Sequence, residues 1–129
     1  MNFQNHYQWQ TKKILVVEDD ESSTFLLGEI LKETGAKINY CSDGEEAVAY
    51  MRKHPETDLI LMDVLLPEMD GLTATREIKS FAQDVVVFAQ TAYAFSVDHQ
   101  QARQAGCDAF LTKPLVASVL LDKMDGFLA

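Results

Sequence analysis

Five residues with chemically capable side chains stand directly after apolar runs in this sequence. They are the carboxylates Glu18, Asp19 and Asp63, the hydroxyl of Thr91 and the ammonium of Lys113. Each has an ordinary explanation when taken singly, because Asp is a common turn residue and acidic groups favour the N-termini of helices. Their shared position after apolar runs is what indicates a site.

The apolar runs themselves predict strands. Continuous runs such as Lys13–Val17 and Leu59–Met62 indicate strands that are buried on both faces. Lys37–Cys41 alternates apolar with polar residues, as a more exposed strand does, and Val85–Ala89 and Asp108–Leu111 complete the set. Between and after these runs, apolar residues at helical spacing predict five helices, with inward faces formed by Leu26, Leu27, Ile30 and Leu31; Ala47, Val48 and Met51; Leu72, Thr75 and Ile78; Val97, Ala102 and Ala105; and Val116, Val119, Leu120, Met124 and Phe127.

Capping signals punctuate the helical segments. We expect Gly35 to end the first helix, the capping-box spacing of Ser42–Glu45 to start the second, and Ser96 to cap the fourth. The resulting order, βαβαβαβαβα, predicts an α/β fold with helices on both faces of a parallel sheet. We expect a doubly wound, flavodoxin-like five-stranded sheet in the order 2-1-3-4-5.

In that strand order the first and third strands are neighbours at the topological switch point, so Glu18, Asp19 and Asp63 would share one pocket. Carboxylates that share a site disfavour one another's ionisation, and a hard divalent cation such as Mg²⁺ relieves this repulsion. A carboxylate can also attack phosphorus and form an acyl phosphate. Thr91 and Lys113 would then hold the phosphoryl oxygens.

Composition limits the classes of protein that fit. The chain has 129 residues, 47% of them hydrophobic, which suits one domain, and its formal net charge of −9 argues against direct binding of nucleic acid. We expect no membrane insertion, because no apolar run reaches transmembrane length, and no signal peptide. Two isolated cysteines, Cys41 and Cys107, predict free thiols and a cytoplasmic location.

The N-terminal segment differs in character from the rest of the chain. Residues 1–11 are polar, show no periodicity and are predicted to be a tail or linker, and residues 12–129 are predicted to form the domain. Two alternatives stay open for this segment: a disordered terminus, or a tail that is partly docked through Trp9.

The ordered set of motifs resembles the response-regulator receiver domain of bacterial two-component signalling. Each motif is weak alone, but the set is specific and spans residues 13 to about 125. The matching stretches are Ile14–Asp20, Leu61–Asp63, Leu66–Gly71, Gln90–Ala92 and Thr112–Pro114.

The resemblance implies a role for each matching residue. Asp63 corresponds to the phosphoacceptor. The Mg²⁺ ligands implied are Asp19 directly, Glu18 through water, Asp63 and the backbone carbonyl of Leu65. Thr91 corresponds to the switch hydroxyl, Ala92 to the small residue that leaves room for the phosphoryl group, and Lys113 to the phosphoryl-binding lysine, followed by a cis bond to Pro114. Phe110 occupies the position of the switch aromatic.

The function implied is that of a phosphorylation switch rather than an enzyme. A histidine kinase or phosphotransfer protein would phosphorylate Asp63, and the face formed by the fourth helix, fifth strand and fifth helix would change. The domain would assist only its own phosphotransfer and autodephosphorylation. Leu65 and Tyr93 occupy variable positions near the pocket, where bulky side chains would shield the acyl phosphate from water.

Three other functions remain as alternatives. An adaptor with this fold that works without phosphorylation is disfavoured by the intact set of polar residues. A Mg²⁺-dependent phosphohydrolase with Asp63 as nucleophile would need a second acid/base carboxylate and a substrate cap. A flavin-binding protein would need a phosphate-binding loop rich in Gly, Ser and Thr after the first strand. The context is also open, between a stand-alone regulator and the receiver of a hybrid histidine kinase.

Overall fold

Five strands and five helices alternate along the chain in the computed structural model, which describes residues 7–66, 69–92 and 99–128. The strands are β1 (Lys13–Val17), β2 (Lys37–Cys41), β3 (Leu59–Asp63), β4 (Val86–Thr91) and β5 (Ala109–Thr112). The helices are α1 (Glu21–Lys32), α2 (Gly44–Lys53), α3 (Gly71–Phe81), α4 (His99–Ala105) and α5 (Ala117–Leu128).

The strands form one parallel sheet in the order β2-β1-β3-β4-β5. The predicted fold class and strand order are therefore confirmed. Because all strands run the same way, their carboxyl ends meet along one edge of the sheet. Glu18, Asp63, Thr91 and Lys113 lie at this edge, either at the last residue of a strand or directly after it.

Two apolar cores cover the two faces of the sheet. One packs α2 and α3 against residues such as Leu15, Ile60 and Val87, and the other packs α1 and α5 against residues such as Val16, Leu61 and Phe88. All five residues of β3 are buried, as its continuous apolar run predicts. The central strand is thus held on both sides, and it presents Asp63 from a rigid base.

Aspartates cap three of the helices that start at the edge where the carboxyl ends of the strands meet. The Asp20 carboxylate accepts a hydrogen bond from Ser23 N at the start of α1, and Asp70 accepts from Leu72 N and Thr73 N at the start of α3. The capping box of α2 is displaced by one residue from the prediction. Asp43 accepts from Glu46 N, and the Glu46 carboxylate accepts from Ser42 N.

Two further details differ from the sequence-based expectations. Helix α1 ends at Lys32, before Gly35, because the Thr34 hydroxyl donates a hydrogen bond to Leu31 O and turns the chain earlier. Gly35 takes a φ of +82° in the turn that follows. The inward faces predicted for α1 and α5 are also wider than the observed ones, because each helix buries only the side chains that point toward the sheet. Four of the expected residues are exposed, namely Leu26, Val116, Val119 and Phe127.

Some predictions concern residues outside the described ranges. These are the Ser96 cap, the Val97 position, the shielding position of Tyr93 and the Pro67-Glu68 part of the motif after Asp63. Within the described ranges, none of the helices has the length and apolar character needed to cross a membrane.

The segment before β1 docks on the domain, as one of the two alternatives for the N-terminus supposed. Trp9 is only 2% exposed and joins the core between α1 and α5. Its backbone N donates to Thr34 O at 2.9 Å, and its indole Nε1 donates to Asp125 Oδ1 at 3.3 Å. The neighbouring Tyr7 hydroxyl donates to the Asp122 carboxylate. Trp9, with the half-buried Tyr7 packed beside it, therefore contributes to the core although the sequence shows no periodicity there.

We predict that Trp9→Ala lowers the free energy of unfolding by about 3–5 kcal/mol, because it removes a large buried side chain and leaves a cavity. Urea unfolding followed by far-UV circular dichroism measures the change. Gln8→Ala is the matched control, because Gln8 is exposed and lies in the same segment. Equal stability of the two variants would show that the docked segment contributes nothing to the core.

Candidate functional site: an acidic pocket at the carboxyl edge of the sheet

Three carboxylates converge where β1 and β3 end side by side. One oxygen from each of Glu18, Asp19 and Asp63 lies within 4.8 Å of the others. Glu18 and Asp63 are buried, at 4% and 6% exposure, whereas Asp19 is exposed. Glu18 and Asp63 are far apart in sequence. The pairing of β1 directly beside β3 brings them together and so creates this cluster.

A lysine that follows β5, the last strand in the sheet order, links two of these carboxylates. Lys113 Nζ donates to Glu18 Oε1 at 2.5 Å and to Asp63 Oδ2 at 3.3 Å. Lys113 follows β5, and its backbone N donates to Thr91 O at 2.9 Å, so the β4 edge holds it in place. The peptide bond between Lys113 and Pro114 is cis. One ammonium therefore offsets part of the negative charge in the pocket.

The electrostatics of the cluster follow from burial and charge. Burial raises the pKa of Glu18, the hydrogen bond from Lys113 opposes this rise, and the neighbouring Asp63 adds to it, so that the pKa is raised overall. Burial acts to lower the pKa of Lys113, but the hydrogen bond to Glu18 and the charges of Asp63 and Glu18 outweigh it and raise the pKa. The lysine therefore stays charged. Its single positive charge faces three carboxylates, so a further cation in the pocket would be stabilised.

The loop after β3 is tied closely around Asp63. Leu65 N donates to Asp63 Oδ1 at 3.0 Å, and Val64 N donates to Gln90 O at 2.9 Å. Gly71 N donates to Val64 O at 2.9 Å, which brings the start of α3 against the loop. A Cβ atom at Gly71 would lie 2.1 Å from Asp63 O, so only glycine fits this approach. The glycine that ends the matching stretch Leu66–Gly71 thus has a positional reason.

The remaining predicted residues lie around the same edge. Thr91 is fully buried at the end of β4, opposite Thr112 of β5, and Ala92 follows it in an exposed position. Phe110 is half-buried, with its ring centroid 4.4 Å from that of His99 on α4. Phe110 therefore connects β5 to the short helix α4, whose described part runs from His99 to Ala105.

Sequence reasoning passed over one polar residue at this edge. Gln90 is fully buried, and its Oε1 and Nε2 are the buried side-chain atoms without a hydrogen-bond partner among the residues that the structure describes. The signal was present, because a glutamine ends an otherwise apolar run. Gln90 also belongs to the motif that leads to Thr91, and that motif draws attention to the threonine rather than to the buried amide.

An acidic cluster clamped by a lysine at this edge of a 2-1-3-4-5 sheet matches a known family. A family model described as the response regulator receiver domain matches residues 14–125. The chain belongs to the response regulator receiver domain family. Receiver domains of two-component response regulators are phosphoacceptor switches in signalling and are not enzymes in the usual sense.

Individual relatives agree with this assignment. The chain is 33% identical over 120 residues to the polar-differentiation response regulator DivK of Brucella ovis, covering 92% of this chain and 97% of that protein. It is 32% identical, with a TM-score of 0.83, to the receiver domain of sensor histidine kinase PA1611 from Pseudomonas aeruginosa, covering 91% and 97% of the two chains. That structure has a magnesium ion coordinated in the active-site cleft.

A second similar structure contains a partner. The receiver domain of the response regulator Ssk1 from Saccharomyces cerevisiae, in complex with the histidine phosphotransfer protein Ypd1, is 28% identical with a TM-score of 0.82. The match covers 91% of this chain and 88% of that one. These relatives therefore include two response regulators and the receiver domain of a sensor histidine kinase.

We predict that Gly71→Ala destabilises the protein by about 1–3 kcal/mol, because the new methyl group must displace the backbone that carries Asp63. Gly126→Ala is the control, since a Cβ atom there meets nothing within 4 Å. In the exposed last turn of α5 it should stabilise by up to about 1 kcal/mol. Urea unfolding of both variants measures the difference, and equal effects would contradict the close approach.

Proposed function

We propose that this receiver domain accepts a phosphoryl group on Asp63 in a Mg²⁺-dependent reaction. The supporting observation is the clamp that joins Lys113 to Glu18 and Asp63, with Nζ distances of 2.5 and 3.3 Å. A surface aspartate would need no such arrangement. Asp63 is buried, but the neighbouring Asp19 is exposed, so a phosphodonor can approach the site from the side of Asp19.

The carboxylates are suited to Mg²⁺, because hard oxygen donors are the ligands that this ion prefers. Glu18, Asp19, Asp63 and the backbone carbonyl of Leu65 would hold it, with Glu18 acting through water. Bound Mg²⁺ supplies positive charge that lets a second anionic group enter the pocket. The acidic cluster and the magnesium ion in the PA1611 receiver support this assignment.

In the transfer step an Asp63 carboxylate oxygen forms a bond to phosphorus while the bond from phosphorus to the donor breaks. For a phosphohistidine donor the leaving group is the imidazole, which regains a proton. Lys113 keeps its charge and moves its hydrogen bonds to the phosphoryl oxygens, where the Thr91 hydroxyl also donates. Ala92 leaves room beside the phosphoryl group because its side chain is a single methyl group.

Phosphorylation would then change the face formed by α4, β5 and α5. The phosphoryl group adds about 1.5–2 negative charges and strong acceptor oxygens, which draw Thr91 toward it. The space that Thr91 leaves lets Phe110 turn inward and away from His99 on α4. The described part of α4, His99–Ala105, buries only two small side chains, Ala102 and Ala105, so it is weakly anchored and able to shift.

We infer that the phosphodonor is a histidine kinase or a histidine phosphotransfer protein. The complex of the Ssk1 receiver with Ypd1 shows a related receiver beside a protein of this kind. A cleft of about 480 Å³ is lined by Glu18 and Asp19 of the acidic cluster and adjoins the site. The domain would extend over residues 12–129, with residues 7–11 docked on it, and would work in the cytoplasm without contacting nucleic acid.

We expect the intact mass to rise by one phosphoryl group on incubation with acetyl phosphate and Mg²⁺. The adduct should be absent in Asp63→Asn and without Mg²⁺, because the nucleophile or the compensating charge is then missing. Asp19→Asn should reduce the rate by weakening ion binding while leaving the acceptor in place. Mass spectrometry of the four samples measures this.

A lack of adduct with acetyl phosphate and with a panel of histidine kinases would overturn the proposal. It would favour the adaptor that works without phosphorylation. Steady release of inorganic phosphate from small phosphate esters, lost in Asp63→Asn, would instead favour the phosphohydrolase.

Leu65→Asn should accelerate autodephosphorylation. Leu65 lies two residues after Asp63 and is 44% exposed, so its apolar side chain is placed to limit the approach of water to the acyl phosphate. A polar side chain of nearly the same shape would hydrogen-bond water and orient it toward the acyl phosphate. The decay of phosphorylated protein, followed by intact mass after removal of acetyl phosphate, measures the rate. Leu26→Asn, an exposed leucine on α1, is the control, and equal decay rates would contradict the shielding function.

A further inference from the structure

Gln90 carries a buried side-chain amide at the carboxyl edge of the sheet. Its side chain is 0% exposed, and neither Oε1 nor Nε2 has a partner among the described residues. A buried amide without partners is costly, because it has lost its hydrogen bonds to water and gained none in return. Such a group needs an explanation, since a leucine or methionine would fill the same space without that cost.

The register of the sheet places this amide next to the proposed phosphoacceptor. Gln90 pairs with Asp63 on β3 and with Leu111 on β5. Two residues earlier on these strands, Leu61 and Phe88 both belong to the core beneath α1 and α5. Because side chains alternate along a strand, Gln90 and Asp63 face the same side of the sheet, one strand spacing apart.

The backbone of Gln90 is tied to the same site. Its carbonyl accepts a hydrogen bond from Val64 N at 2.9 Å, in the loop that follows Asp63. Its chain neighbour is Thr91, whose movement toward the phosphoryl group belongs to the proposed function. A displacement of Thr91 therefore displaces Gln90, and the amide is placed to respond to the state of Asp63.

Lys113 occupies the groups that the amide would otherwise contact. In the present state Asp63 Oδ1 accepts from Leu65 N, and Oδ2 accepts from Lys113. When Lys113 turns to the phosphoryl oxygens, the Asp63 carboxyl group loses that donor. The Gln90 Nε2 group is a neutral donor one strand away, and it has no other hydrogen bond to give up.

We propose that Gln90 is a positioning residue whose amide is unpaired in the resting state and hydrogen-bonds the Asp63 carboxyl group in the phosphorylated state. The inference rests on the proposed function. The unpaired amide raises the free energy of the resting state alone, and so it biases the two-state equilibrium toward the phosphorylated arrangement. Gln90 thereby acts on the switch without touching the phosphodonor.

The test compares two states of the protein in Gln90→Met, whose side chain is close in size and apolar. Calorimetric titration with beryllium fluoride and Mg²⁺ measures affinity for the phosphoryl mimic, and urea unfolding without ligand measures the resting state. We expect unchanged or higher resting stability, and a half-saturating concentration of beryllium fluoride about five- to tenfold higher, equal to the loss of one hydrogen bond. A residue that only fills the core would change stability and leave this affinity unaltered.

Two further variants keep the result interpretable. Gln90→Asn retains the amide but shortens its reach, so its affinity should lie between those of the wild type and Gln90→Met. Leu111→Met alters packing in the same cross-strand row without changing a polar group, and its affinity should equal that of the wild type. Wild-type affinity in both Gln90 variants would overturn the inference, as would crystal structures in which one buried water pairs the amide in both states.

Failure of the proposed function gives a different result. In that case the wild-type protein itself would not bind beryllium fluoride, or would bind it equally well as Asp63→Asn. If the wild type binds through Asp63 and the Gln90 variants bind equally tightly, only the inference about Gln90 falls.

Discussion

The repulsion among three carboxylates at one edge of the sheet is the constraint on which the rest of this structure depends. Glu18 and Asp63 are almost fully buried, and like charges in such a place oppose one another's ionisation. Lys113 offsets part of this charge from the opposite side of the pocket. The site is therefore held short of neutrality, which is the condition under which a cation and then an anionic group can enter.

That electrostatic arrangement requires rigid support, and the doubly wound sheet supplies it. Strand β3 is buried on both faces, so Asp63 stands at the end of a strand that is packed on each side. The loop behind it is tied by backbone hydrogen bonds to β4 and to Gly71. The opposite end of the site is built differently, since Phe110 contacts His99 of α4, and the described part of this helix buries two small side chains, Ala102 and Ala105. The proposed binding and the proposed response therefore involve opposite sides of the pocket.

Much of this architecture was predictable because it depends on local patterns. Continuous apolar runs predicted the buried strands, and the alternation of strands with helices predicted a parallel sheet with its reactive ends at one edge. What failed were details that depend on packing against a partner element. Val116 and Val119 fit the helical pattern of α5 yet are exposed. The start of α2 differs for a local reason instead, because the Asp43 carboxylate accepts from Glu46 N and so Asp43 rather than Ser42 caps the helix.

The sequence by itself determined which residues could form the site, since the order and type of groups after each strand identify the family. The tertiary structure alone decided the distances among them, because β1 and β3 become neighbours only through the crossover that places β2 at the sheet edge. It also decided the burial of Trp9 and of Gln90. The sequence signals there are weak, a glutamine at the end of an apolar run and a tryptophan in a polar segment, because the burial arises from elements distant in sequence: α5 for Trp9, and β3 and β5 for Gln90.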